Sequence, residues 1–225
     1  GVVLVTLSLG IKPITLVLLP FIGLLWAGPT AGWIRRFVFW FLTAGISFGI
    51  MAVVGALNGF GFGWVAVMVG TGTGTVPWGP IGILSLLTVG ISELVGQGAD
   101  QQAVEGVYKT AGRVLSVLIV LALMFLGRQD RVLTRMTWAF TALVILSPII
   151  QPWYLLWLLP FFAVIGIRDD WQIKWVVFTV GYFLAFGASD QLFTWQFLAI
   201  ADQVKAISLI VSAVCLAWIL VVDRR

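Results

Sequence analysis

Three groups of residues in this chain have types and spacings that can do chemistry. The first is Gln151, Trp153 and Tyr154, in the run SPIIQPWYLLWLLP at residues 147–160, which also places three prolines inside a long apolar stretch. Proline removes a backbone donor and breaks helices, and a buried amide is costly without a partner. The run is therefore either a corner where two membrane helices meet the water surface or the lining of a site. The second group is cationic: Lys12, alone in the apolar segment GIKPITLVLLP, and Lys109 with Arg113, one helical turn apart. An ammonium acts as a point charge toward phosphate, so these residues are candidates for holding a lipid-linked phosphate. Plainer roles stand beside that one. Lys12 suits a helix-end lysine that snorkels to the surface, and Lys109 and Arg113 can pair with Glu105 or anchor a helix end. The third group is acidic. Glu93 follows an apolar run and, as a general base, would need burial, a raised pKa and a reachable hydroxyl. Asp169 and Asp170 lie beside Arg168 without an Asp-X-Asp pattern or a third ligand, which reads as a solvated turn.

What is missing narrows the chemistry further. The chain has no histidine, which removes the commonest general base and metal ligand and disfavours zinc hydrolysis and histidine triads. Its single cysteine, Cys215, lies in an apolar helix pattern and builds no disulfide framework. No metal site is expected. Hydrophobic residues make up 61% and charged residues 10%, with a mean hydropathy of +1.10. Soluble domains carry roughly 25% charged residues, so most of this surface must face lipid or other apolar segments. The net charge of +4 is accounted for by basic residues at helix ends and calls for no nucleic-acid partner.

The elements that must position these residues are membrane helices. A spanning helix needs about 20 mostly apolar residues, and such runs fall at 13–28, 37–57, 107–126, 133–149, 153–167, 174–189 and 204–222. The fold class is thus all-α, a polytopic bundle of about seven membrane segments in a single transmembrane domain, residues 1–225. Val2–Leu9 is a further apolar piece, too short to span. Alternating the loops puts Arg35, Arg36, Arg128, Arg131, Arg135, Arg168, Lys174, Arg224 and Arg225 on one side. The other side holds Lys12, Lys109, Arg113 and Lys205 with Glu93, Asp100, Glu105, Asp190 and Asp202. By the positive-inside rule the first side is cytoplasmic. The loop 58–106 and the corner near 148–153 then face outward. Pro148 and Pro152 end one helix and start the next, and Pro160 is expected to kink the return helix. Because the chain opens at Gly1 directly into apolar sequence, it reads as part of a longer membrane protein.

The outer loop is only half hydrophilic. It contains NGFGFGW, the run GTGTGT, and the apolar segment from Ile81 to Val95, compatible with an interfacial or re-entrant helix. Its glycines at 59, 61, 63, 70, 72, 74 and 79 permit positive φ and close approach to a ligand. GTGTGT lacks the Gly-Lys-Ser/Thr ending of a phosphate loop and reads as a flexible, hydroxyl-bearing turn. A loop longer than about 12–15 residues is usually functional or packed on its own protein.

The run ILSPIIQPWYLLWLLPFFA at 145–163 closely resembles a segment of the actinobacterial polyprenol-phosphomannose-dependent α-1,6-mannosyltransferases. IKPITLVLLPFIG at 11–23, NGFGFGWV and TVPWGPIG extend the likeness over most of the chain. The resemblance implies a GT-C-like membrane glycosyltransferase that takes mannose from a polyprenyl-phosphate carrier. It implies extension of the α-1,6-mannan of lipomannan and lipoarabinomannan on the outer face of the plasma membrane. It implies no nucleotide sugar on that face and names no certain cofactor, with dependence on a divalent metal left open. Trp153 and Tyr154, with Gln151 beside them, and Trp78 in the outer loop become candidates for sugar contact, and Lys12, Lys109 and Arg113 for the lipid phosphate. Trp153 and Tyr154 equally suit an aromatic belt at the headgroups. No residue matches the family's catalytic carboxylate motif, so the catalytic aspartate is expected upstream and this C-terminal part alone is expected to be inactive. The competing reading is a transporter or lipid flippase with broken helices around a midplane site. That reading predicts an internal repeat and mid-membrane charges, which the sequence does not display.

Overall fold

The computed structural model describes residues 1–70 and 79–166, with isolated helical positions at 173, 210, 213, 214 and 217. The expected spans 174–189 and 204–222, Trp78, the GTGTGT run, the pair Asp169 and Asp170, and Cys215 lie outside the described residues, as does the side chain of Trp153. Among the described residues every regular element is helical. The helices are α1 (Val2–Ile11), α2 (Leu18–Ala27), α3 (Trp33–Leu57), α4 (Gly63–Gly70), α5 (Pro80–Leu94), α6 (Gln101–Phe125), α7 (Val132–Ile145) and α8 (Leu159–Ile165). Short 3-10 helices at Pro13–Val17 and Pro152–Leu158 lead into α2 and α8. The chain divides into two compact units, Gly1–Ile149 and Ile150–Arg225.

Two helices in the first unit, α3 and α6, are long and apolar enough to cross a membrane, each with 25 residues. Only 11% of the most apolar window of each is buried. Apolar residues left uncovered over such a length are what a lipid-facing helix presents. Both helices start earlier than the hydropathy pattern indicates. Asp100 accepts from the backbone N–H groups of Gln102 and Ala103 at 3.2 Å and so caps α6 before its polar first turns. The expected outer loop 58–106 thus contains the helices α4 and α5 and the first turn of α6.

The order of packing in the first unit follows from its side-chain contacts. Thr6 on α1 donates to Ser47 on α3 at 2.9 Å, and Gly10 lies beside Met51, so α1 runs parallel to α3. The chain then reverses at Lys12. Pro13 starts the 3-10 turn, where a missing N–H costs nothing, and α2 runs back along α3. Gly23 makes that approach possible, because a Cβ there would lie 2.8 Å from the Trp40 ring and 3.1 Å from the Phe39 carbonyl oxygen. Trp40 donates its indole N–H to the Pro20 carbonyl at 2.9 Å. A core of Phe21, Leu24, Val132 and Ala139 closes between α2 and α7, with Trp40, Val120 and Met124 packed against it.

The helix α5 covers the apolar segment Ile81–Val95 for which the sequence suggested an interfacial or re-entrant helix. Thr88 and Tyr108 share a hydrogen bond of 2.8 Å, and Ile81 packs at Gly112, so α5 lies antiparallel on α6. Among the described loop glycines, Gly59, Gly61, Gly96 and Gly98 adopt positive φ, between 53° and 73°. In the second unit Pro152 opens the 3-10 helix at its first position, and Pro160 falls in the first turn of α8. The expected kink at Pro160 is therefore replaced by a change of helix type. A proline that a helix interior would reject is well placed at a helix start, where its N–H is not needed.

Candidate functional site

Lys12 occupies the turn where α1 gives way to the 3-10 helix, with extended backbone (φ −141°, ψ 113°). Its own N–H is held by Ser8 at 2.8 Å, and its carbonyl accepts from the Thr15 N–H and hydroxyl at 3.2 and 3.0 Å. The ammonium is thus carried on a backbone fixed from both sides, with the residue exposed.

Lys109 and Arg113 project from the first half of α6. Lys109 forms an ion pair with Glu105 at 3.4 Å, one turn earlier on the same helix. Such an i,i+4 pair adds only about 0.3–0.5 kcal/mol, so a stronger anion can compete for the lysine. Arg113 is exposed beside Gly112, at the level where α5 begins and α7 ends. Phe125, at the far end of α6, packs against Trp33 and Trp40 near the start of α3. The two long helices are therefore antiparallel. Lys109 and Arg113 lie toward the end of the unit where α3 finishes, and Lys12, on the parallel α1, lies toward that same end.

In the second unit Gln151 precedes the 3-10 helix, and its carbonyl accepts from the Tyr154 N–H at 2.8 Å. Its side-chain oxygen Oε1 is buried and has no hydrogen-bond partner among the described residues. An orphaned buried acceptor costs roughly 1–3 kcal/mol and is satisfied by any group that brings a hydroxyl or N–H. Tyr154 stacks on Trp157, with ring centroids 4.2 Å apart and planes 21° from parallel. A 3-10 helix has 3.0 residues per turn, so positions i and i+3 eclipse, and this places one ring over the other. Trp157 is a member of the cluster that the sequence reading left unassigned; its spacing of three from Tyr154, behind a proline-led start, is the pattern that finds it.

Two candidates fare differently. Glu93 is exposed on the last turn of α5, and its carbonyl accepts from Gly96 at 3.0 Å. The partial burial its base role required is absent, because the outer face of α5 turns away from α6. Arg135, counted above only as a cytoplasmic charge, is buried. It donates to the carbonyl oxygens of Leu123, Met124 and Arg128 at 2.5, 2.7 and 3.1 Å. It satisfies the last carbonyls of α6 and complements that helix's negative end. It is a structural residue.

A family model described as the MptB C-terminal domain matches residues 81–222, more than half of the chain. A probable alpha-(1->6)-mannopyranosyltransferase of Mycolicibacterium smegmatis is 31% identical over 160 residues, 70% of this chain and 29% of that protein. An alpha-(1->6)-mannopyranosyltransferase of Mycobacterium tuberculosis is 28% identical over 216 residues, 94% of this chain and 36% of that protein. The chain thus spans about a third of the length of the curated relatives it matches. No solved structure matches it. On the match over 81–222, the chain belongs to the MptB C-terminal domain family.

Proposed function

We propose that this chain is the membrane-embedded C-terminal part of an α-1,6-mannosyltransferase. The observation that carries the reading is the family match over 81–222 together with relatives named for that transfer. The donor is mannose on a polyprenyl phosphate, the acceptor an α-1,6-mannan of the lipomannan and lipoarabinomannan type. The reaction runs at the outer face of the plasma membrane, in a GT-C-like bundle of about seven membrane segments in which 1–225 is one transmembrane domain and 58–106 its outer loop.

In the transfer, the bond from mannose C1 to the phosphate oxygen breaks and a bond from C1 to the acceptor O6 forms. The acceptor proton goes to a carboxylate upstream of this chain. Negative charge develops on the departing polyprenyl phosphate, and fixed cations near it lower the barrier. Lys12, Lys109 and Arg113, gathered toward one end of the first unit, are suited to that task. Gln151, whose Oε1 has no partner among the described residues, and the aromatic residues Trp153, Tyr154 and Trp78 are suited to hold sugar. The test uses membranes containing the full-length enzyme and a mannan acceptor. Polyprenyl-phosphomannose should support chain extension, and GDP-mannose without the carrier should not. Extension from GDP-mannose alone would overturn the donor assignment, and no mannosyl transfer from either would overturn the activity.

A further inference from the structure

A cavity of about 600 Å³ opens in the first unit, walled by Val17 and Pro20 before and within α2, Trp40 and Ala44 on α3, and Val120 and Met124 on α6. Its lining is almost wholly apolar. The one hydroxyl in it belongs to Thr43, and that hydroxyl donates to the Trp40 carbonyl at 3.0 Å inside its own helix. Nothing in this wall recognises a polar molecule, whereas an alkyl chain fits it, and the size is in the range of ligand pockets, about 300–1,000 Å³.

One end of the cavity leads to a cluster of guanidinium groups. Trp40 meets Phe125 edge-on at 5.3 Å, Phe125 stacks on Trp33 at 6.0 Å, and the Arg36 guanidinium lies 4.6 Å above the Trp33 ring. Arg36 and Trp40 are one turn apart on the same face of α3, so the charge sits directly beyond the apolar wall. Arg36 also donates to the Ala31 carbonyl at 2.9 Å, and Gln129, with its amide oxygen turned inward, accepts from that guanidinium at 2.9–3.2 Å. Gln129 belongs to the turn that carries Arg128 and Arg131, both exposed, and Arg135 donates into the same turn through the Arg128 carbonyl. Asp130 is the acidic residue of that turn and is paired with Arg128 at 2.9 Å. The cluster keeps a clear excess of positive charge.

We propose that this groove and cluster form a binding site for one anionic glycerophospholipid, with its phosphodiester on Arg36, Arg128 and Arg131 and an acyl chain in the cavity behind Trp40. Guanidinium forks match phosphate oxygens, and juxtamembrane basic residues each contribute about 1 kcal/mol toward anionic lipid. The site lies at the arginine-rich end, opposite the end toward which Lys12, Lys109 and Arg113 gather. Its cations are distinct from the lipid-phosphate candidates of the mannosyl reaction, while the far wall of the cavity includes Pro13, the neighbour of Lys12. The inference rests on the membrane reading of the chain and not on mannosyl transfer.

The test is native mass spectrometry of the full-length protein released from micelles containing equal amounts of phosphatidylglycerol and phosphatidylcholine. The wild type should retain one phosphatidylglycerol in preference to phosphatidylcholine. The double variant Arg36→Gln/Arg131→Gln should lower that preference about thirtyfold, two cations at roughly 1 kcal/mol each. Ala44→Trp, which fills the groove, should reduce retention of both lipids. Arg128→Gln, at an exposed position, repeats the charge test with little risk to folding. Equal retention of the two lipids by the wild type would overturn the proposal. So would a preference unchanged in the arginine variants but lost in Lys12→Gln, or one abolished by millimolar inorganic phosphate. Mannan extension is measured on the same preparations, so loss of transfer with lipid selectivity intact counts against the enzymatic reading alone.

Discussion

The Leu146 carbonyl oxygen packs so closely on Gly112 that a Cβ added there would lie 3.0 Å from it, and 2.8 Å from the Cδ1 of Ile81. This contact fixes three elements at one level: the start of α5, the middle of α6 and the end of α7. Gly112→Val should therefore separate them. Overpacking of this kind costs about 1–3 kcal/mol, read as a lower thermal unfolding midpoint of the full-length protein in detergent. An unchanged midpoint would show that the contact carries no weight in packing.

Arg135 holds three carbonyl oxygens across the turn between α6 and α7. Arg135→Leu leaves those acceptors without their donor and should destabilise by about 1–3 kcal/mol. Arg135→Lys keeps the charge but not the planar fork and should fall between the two. Thermal unfolding of the three proteins, side by side, decides the order.

Thr6 and Ser47 join α1 to α3 through a buried hydroxyl pair at 2.9 Å. In a double-mutant cycle with Thr6→Val and Ser47→Ala, the coupling should be about 0.6 kcal/mol and at most about 1.7 kcal/mol, the range for such bonds between membrane helices. Strict additivity would mean that α1 is held by shape alone.

Gln151 offers a separation of stability from activity. Because its Oε1 is buried without a partner among the described residues, Gln151→Leu removes an orphaned acceptor and should leave stability unchanged or slightly raised. If the amide receives a sugar hydroxyl, kcat/KM for mannan extension should drop about tenfold, a loss of roughly 1.4 kcal/mol within the usual range for such a bond. Steady-state kinetics and unfolding on the same variant give both numbers. Unchanged kinetics would return Gln151 to a purely structural corner.

The turn carrying Asp130 has a defined pH response. Hydrogen bonds from Arg128 at 3.1 and 2.9 Å hold the Asp130 carboxyl below the usual carboxylate range. With the folded pKa below the unfolded value of about 3.9, the pair's contribution is complete above that value. It is lost as pH falls through the folded pKa. The turn should therefore show no change across neutral pH and open only in acid, which NMR titration of the Asp130 carboxyl carbon can follow. The effect on overall stability should be small, because both side chains are exposed.

The helical class was legible in the sequence because hydrophobic runs of about 20 residues have few alternatives in lipid, where every backbone group must be bonded internally. The apolar core of α3, the helix α5 within the long loop and the proline-led restart at Pro152 all follow from local composition. Helix ends were less legible. Asp100 starts α6 by capping two backbone N–H groups, an interaction that hydropathy cannot register. Membership of the mannosyltransferase family was also readable, from SPIIQPWYLLW and the Lys-Pro helix start.

The sequence by itself therefore determined an apolar helical chain, the polar residues that need a reason, and the family they resemble. Only the tertiary structure decided which of those residues have partners. It gave Lys109 to Glu105, buried Arg135 as the cap of α6, left Glu93 exposed, and left Gln151 Oε1 without a donor among the described residues. The reason is physical. Hydropathy is a property of each segment alone, whereas a hydrogen bond or an ion pair depends on which groups the packed helices bring within about 3 Å of one another.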